Sequence, residues 1–243
     1  MPMTHDAQLL DSSTPRLLDL PSRLERVQDQ VAAAARSAGR AAEEVTIVAV
    51  SKTVDRQAVD AALGLGLRHL GENRVQDASR KFAAPLPAGA MLHLIGHLQS
   101  NKAKPAAALF DTIESVDRPS LIDALEKAAE RHGAALPVLL QVNVAREPQK
   151  AGCDPDQAPR IMEQLARSSW LSPRGLMAMA PLVDDPDDVR PVFAALRELR
   201  NALQRHHPTL DLDTLSMGMS NDFAVAIAEG ATSVRIGRAI FGR

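Results

Sequence analysis

The segment "VTIVAVSKTVD", residues 45–55, runs through β-branched and small apolar residues into a lysine. Such a run reads as a buried strand, and side chains alternate along a strand. Thr46, Val48, Val50 and Lys52 therefore share one face. Partial desolvation and neighbouring cations favour a neutral amine, which attacks an aldehyde to form an imine. The bland alternative is a lysine that buries its stem and keeps its ammonium in water. Near the carboxyl end, "LSMGMSND" places the hydroxyls of Ser216 and Ser220 and the small Gly218 directly before the helical pattern "DFAVAIAEG". A helix start offers free N–H groups and partial positive charge, the combination that phosphate wants. "SVRIGRAIFG" follows, with Arg235 and Gly237 on one strand parity and Arg238 next to them. Ser220 or Asn221 acting as a helix cap is compatible with anion binding.

Weaker signals accompany these. "GENRVQD" carries Glu72 and Asn73 at a strand end, and "QVNV" places Asn143 within another strand. His93 and His97 in "HLIGHLQSNK" have a spacing that suits zinc on a helix, but they straddle Gly96 and lack a nearby acidic third ligand, so no metal is expected. The methionines of "GLMAMAP" and "SMGMS" read as packing, and Cys153 is a lone loop thiol.

Eight short apolar runs must position these groups: "TIVAVSK", "HLGEN", "MLHLIG", "DTIESV", "PVLLQVNV", "RGLMAM", "TLSMG" and "SVRIG". Helical patterns separate them, the weakest being "NKAKPAAALF" with Pro105. Strands alternating with helices predict a parallel sheet, and eight close a (β/α)₈ barrel. An open doubly wound sheet is the alternative, but no G-x-G-x-x-G follows the first strand. A long amphipathic helix over Arg16–Ala38 precedes the barrel. Residues 1–15 are expected to be flexible and 16–243 to form one domain, of a length ordinary for such barrels. Functional groups of a barrel gather at the carboxyl ends of the strands, with phosphate at the loops after strands seven and eight. Lys52 and the two carboxyl-terminal segments satisfy that rule together.

Composition removes whole classes of function. In 243 residues, 28 Lys and Arg face 30 Asp and Glu, which argues against nucleic acid or an anionic membrane as the main partner. Aromatic residues make up 2% and tyrosine is absent, so stacking platforms for single strands are not expected. One cysteine, no signal-like start and no stretch of spanning length predict a cytoplasmic protein. No sticky face is evident, so a monomer is the expectation.

The motifs "VAVSKTV", "GENRVQD", "HLIGHLQSNK", "LLQVNVAREPQKAG", "GLMAMAP" and "LSMGMSNDFAVAIAEGATSVRIGRAIFG" stand in the order and spacing of the YggS/PROSC family. The resemblance runs from about residue 20 to the end. It implies an alanine-racemase-like barrel, PLP fold type III, that holds pyridoxal 5′-phosphate (PLP) as an imine on the first-strand lysine. By position Lys52 matches that lysine, and Asn73 the second-strand motif beside the cofactor. Ser216, Met217 and Ser220 match the strand-seven loop, and Arg235 and Gly237 the segment that meets the pyridine nitrogen or phosphate. Arg238 stands where the family usually has Thr or Ser, leaving its backbone N–H for phosphate, and Leu92 where a larger aromatic residue is common.

The resemblance further implies a PLP homeostasis protein without established turnover, which reaches apo-forms of PLP enzymes only transiently. The rival is a PLP-dependent racemase. Racemisation needs a base on each face of the planar carbanion, and the racemases this barrel resembles use lysine and tyrosine. With no tyrosine, and with the chain ending where a further β domain would begin, a carrier is expected, Cys153 or a histidine being the only stand-in second bases.

Overall fold

The structure, a computed structural model, describes residues 19–242. The expected flexible segment 1–15 and the start of the first helix lie outside the described residues. Helix α1 spans Leu20–Ser37 and buries Leu20, Leu24, Val27, Val31 and Ala35, the stripe that helical spacing predicts. Pro21 sits in its first turn, where no N–H is needed.

Eight strands follow: β1 (Thr46–Val50), β2 (His69–Glu72), β3 (Met91–Leu94), β4 (Thr112–Val116), β5 (Leu136–Gln141), β6 (Leu171–Met177), β7 (Thr214–Met219) and β8 (Ser233–Ile236). They are all parallel and close in chain order, β8 pairing with β1, so the barrel is closed and the open sheet is excluded. Helices α2 (Arg56–Gly64), α3 (Val75–Lys81), α4 (Ala103–Leu109), α5 (Pro119–His132), α6 (Ala158–Ala166), α7 (Arg190–His206), α8 (Phe223–Ala228) and α9 (Arg238–Phe241) each follow one strand. The weak third unit is helical after all. Pro105 falls in the first turn of α4, among the N–H groups a helix cannot use anyway.

Outward-facing strand residues such as Ala49, Leu70, Leu92, Leu215 and Val234 are buried against the helices. Helix α1 lies across α8 and α9. There Arg23 Nε donates to the Ile240 carbonyl at 2.8 Å, and Arg40 Nη1 to the Ala231 carbonyl at 2.7 Å. Among the described residues no helix is long and apolar enough to cross a membrane.

The inward face is unusually polar. Thr46, His69, His93, Glu114, Ser216, Ser233 and Arg235 all project into the barrel, where Val or Leu would be the ordinary filling. Register brings Val48 opposite Arg235 and Val50 opposite Gly71, which sets the levels at which these groups meet.

Candidate functional site

A cavity of about 180 Å³ opens at the carboxyl ends of the strands. Val50 lines it from β1 and Lys52 from just beyond, Arg235 from β8 with Gly237 and Arg238 where β8 runs into α9, and Met219 to Asp222 from the end of β7 and the turn after it. Pro181, Leu182, Val183 and Pro186 cover one side from the loop between β6 and α7. The alternation read from "TIVAVSK" thus agrees with the wall: Val50 and Lys52 share the cavity face.

Strand β1 stops at Val50, so Lys52 stands in the following turn and is exposed rather than partly desolvated. Among the described residues its amine has no hydrogen-bond or ion-pair partner. The strand end behind it is held firmly. Ser51 N donates to the Gly71 carbonyl at 3.0 Å. Ser51 Oγ donates to Glu72 Oε1 at 2.7 Å, and Lys81 Nζ donates to both Glu72 Oε1 and the Ser51 carbonyl, at 2.7 and 2.6 Å.

Arg235 forms the floor and is 4% exposed. Its Nη2 donates to the Ala178 carbonyl at 2.7 Å, and its Nη1 to Ser216 Oγ at 2.6 Å. Ser216 donates in turn to Glu114 Oε2 at 2.5 Å. Burial pulls the Arg235 guanidinium below its usual range, opposed by the charges of Glu114 and Asp222. Burial alone would raise the Glu114 carboxyl. The hydrogen bond and charge of His93, the charge of Arg235 and the Ser216 hydroxyl outweigh it and hold Glu114 below the ordinary carboxylate range. Asp222 is pushed up by burial, although its Oδ1 accepts from Met219 N at 2.5 Å.

The last residues of β7, just before the turn into α8, need Gly218. Its φ is +91°, and a Cβ there would lie 2.6 Å from Ala226 Cβ. The irregular β7–β8 pairing between Ser216 and Met219 re-aims the strand end so that Ser220 and Asn221 face the cavity.

Five of the residues expected at the site, Lys52, Ser220, Arg235, Gly237 and Arg238, line one cavity. Arg238 Nη2 reaches Asn221 Oδ1 at 3.5 Å, so its guanidinium remains at the rim. Ser216 is not a lining group; it is buried one layer down and orients Arg235. Met217, of opposite parity, is fully buried in the apolar core, which leaves only its backbone for any ligand. Asn73 lines a different cavity with Arg74, His97 and Lys102. There Gly96 packs on its backbone, at a place where a Cβ would come within 2.2 Å of the Asn73 carbonyl oxygen.

Asn143 is not within β5, which ends at Gln141; it folds back on its own loop, Nδ2 donating to the Glu147 carbonyl at 2.7 Å. No group of three or more His, Cys, Asp or Glu suited to a metal occurs among the described residues. The residues not anticipated are Asp222, Glu114, Lys81 and the proline-bracketed loop 181–186. Inward parity of His69, His93 and Glu114 on neighbouring strands was the available signal for a buried polar interior.

The family model described as "Alanine racemase, N-terminal domain" matches residues 23–243. A "Pyridoxal phosphate homeostasis protein" of Aquifex aeolicus is 40% identical over 220 residues, covering 90% of this chain and 96% of the relative. One of the same description from Pseudomonas aeruginosa is 42% identical over 228 residues, 92% and 95% of the two chains. Among solved structures, PipY of Synechococcus elongatus with PLP bound has a TM-score of 0.82 at 38% identity, covering 92% of this chain and all (100%) of that one. An alanine racemase of Clostridium difficile has a TM-score of 0.74 at 11% identity, covering 93% of this chain and 57% of that one, a likeness of fold alone.

Proposed function

The chain belongs to the YggS/PROSC family of pyridoxal phosphate homeostasis proteins, and from that premise we propose that it holds PLP reversibly on Lys52 and serves PLP homeostasis without turnover of its own. The observation that carries the reading is the pairing within one cavity: the unpartnered Lys52 amine and the buried Arg235 cation share its walls.

The residues fit the group. A lone primary amine at the mouth meets an aldehyde, a buried cation below and N–H and hydroxyl groups around Ser220 to Asp222 meet anionic oxygens, and Gly237 leaves room against Val50. When bound, PLP supplies an electrophilic carbon that a primary amine captures with loss of water. Lys52 provides the amine, and its exposure gives water continuous access, which favours release over long-lived retention. Catalytic sites that use such cofactors exclude water to protect reactive states. Arg235 orients the bound group from below, and the loop containing Leu182 covers one side.

A racemase finds less support. Among the cavity-lining residues the titratable groups besides Lys52 are Asp222, Arg235 and Arg238. Of the two stand-in second bases, no histidine lines the cavity, and Cys153 is buried elsewhere with its thiol pushed up to about 12, first by burial and then by Asp117 and Asp154. The recipients implied by the carrier reading are apo-enzymes that use PLP, reached through solvent or by brief contact in the cytoplasm.

The experiment is to load the protein with PLP, record the visible band, reduce with borohydride and map the modified peptide by mass spectrometry. Lys52 is the expected site, and Lys52→Ala is expected to fold yet lose the band. A modification mapped to another lysine, or an unchanged band in Lys52→Ala, overturns the assignment. Sustained formation of D-alanine from L-alanine would return the racemase.

A further inference from the structure

A hydrogen-bond chain crosses the barrel from the floor of the upper cavity to the opposite mouth. It runs from Arg235 Nη1 to Ser216 Oγ (2.6 Å), Ser216 Oγ to Glu114 Oε2 (2.5 Å), Glu114 Oε1 to His93 Nδ1 (2.8 Å) and His93 Nε2 to His69 Nδ1 (2.9 Å). Arg235, Ser216, Glu114 and His93 are all buried, Glu114 at 1% exposure. His69, His93 and Glu114 line a second cavity of about 630 Å³ at the amino ends of the strands.

Chemistry fixes the direction of most links. A guanidinium only donates and an ionised carboxylate only accepts. Ser216 has one hydroxyl proton, so it accepts from Arg235 and gives that proton to Glu114. His93 Nδ1 then carries the proton that it donates to Glu114. The reversible link is the last one, between the two rings.

We infer that Glu114 is a positioning residue for Arg235: through the Ser216 hydroxyl its carboxylate sets the orientation and counter-charge of the guanidinium beneath the upper cavity, and the His93–His69 pair holds Glu114 in place. Asp222 is the other carboxylate acting on Arg235, but its Oδ1 is engaged by Met219 N. Glu114 therefore supplies the hydrogen-bonded counter-charge. Two of the five guanidinium N–H groups are fixed by Ser216 and the Ala178 carbonyl, which aims the remainder from a single orientation. The consequence for PLP rests on the preceding reading; the consequence for Arg235 does not.

The test compares the full chain as wild type, Glu114→Gln and Glu114→Asp. In the cofactor-free protein, nitrogen-15 NMR follows exchange of the Arg235 guanidinium protons. Exchange is expected to be slow in wild type and in Glu114→Asp, and fast in Glu114→Gln. In titrations with PLP, Glu114→Gln is expected to lose roughly tenfold to a hundredfold in affinity and to show a shifted visible band, with Glu114→Asp recovering most of both. Wild-type exchange, affinity and band in Glu114→Gln overturn the inference. If that variant does not fold, Ser216→Ala breaks the same link and carries the same decision. A wild-type protein that shows slow Arg235 exchange and binds no PLP overturns the proposed function and leaves the positioning role standing.

Discussion

Lys81 is the hidden support of the strand end that carries Lys52, and replacing it with methionine exposes how the support works. Its ammonium lies 2.7 Å from Glu72 Oε1 and 2.6 Å from the Ser51 carbonyl, and the two side chains are 12% and 1% exposed. The second carboxylate oxygen, Glu72 Oε2, is buried without a hydrogen-bond partner. Glu72 thus relies on one ammonium and one serine hydroxyl. Methionine keeps the packing of the stem but strands the carboxylate, and removing one partner of a buried pair costs about 3–5 kcal/mol. Lys81 Nζ also lies 5.8 Å from the centre of the Phe82 ring, a contribution of roughly 0.5–2 kcal/mol, smaller than the cost of the orphaned charge. For a chain of this length each kcal/mol moves Tm by about 2–4 °C, so a fall of about 10 °C is expected. Urea titration checks it: the midpoint should drop at constant slope. The double variant Glu72→Gln/Lys81→Met removes the charge and should recover more than half of the loss. A single variant that loses under 1 kcal/mol, or a double variant no more stable than the single, refutes the claim that an unpaired buried carboxylate sets the cost. The visible band of PLP-loaded Lys81→Met should weaken as well, because the carbonyl preceding Lys52 is released.

Acid should destabilise the fold in two steps. Burial first, and then the charge of His93, lower the affinity of His69 for a proton, so below its ordinary value of 6.5 the unfolded chain takes up a proton that the folded one refuses. Glu114 is held below its ordinary 4.5, so its contribution is present above that value and is lost as pH falls through the lower folded one. Tm measured by circular dichroism should decline from pH 7 to 5 and again below about 4.5, and His69→Gln should flatten the first decline; a first decline that survives in this variant removes His69 as its source. Cys153 is 4% exposed with its thiol raised to about 12, so a disulfide reagent at pH 8 should label the unfolded protein fully and the native protein hardly at all. Rapid native labelling would contradict the burial.

The order and number of strands, the helices between them, and the shared face of Val50 and Lys52 are local properties of the chain. A two-residue period shows which side chains point inward, and a 3.6-residue period marks the helices, so "TIVAVSK" and "SVRIG" sufficed to bring Lys52, Arg235 and Gly237 to one cavity. Inward parity does not give the level at which a side chain sits in a closed barrel. That level depends on the register of eight pairings and on irregularities such as the one between Ser216 and Met219. Ser216 therefore turned out to be a support of Arg235 bonded to a carboxylate 102 residues away, and Asn73 to belong to a neighbouring cavity. Lys52 is exposed because β1 ends two residues earlier, at Val50, the last residue of β1 in register with β2, which the apolar run by itself does not mark. The sequence determined which chemical groups face the barrel axis; closure of the barrel decided which of them meet, because contact across it depends on all the pairings at once.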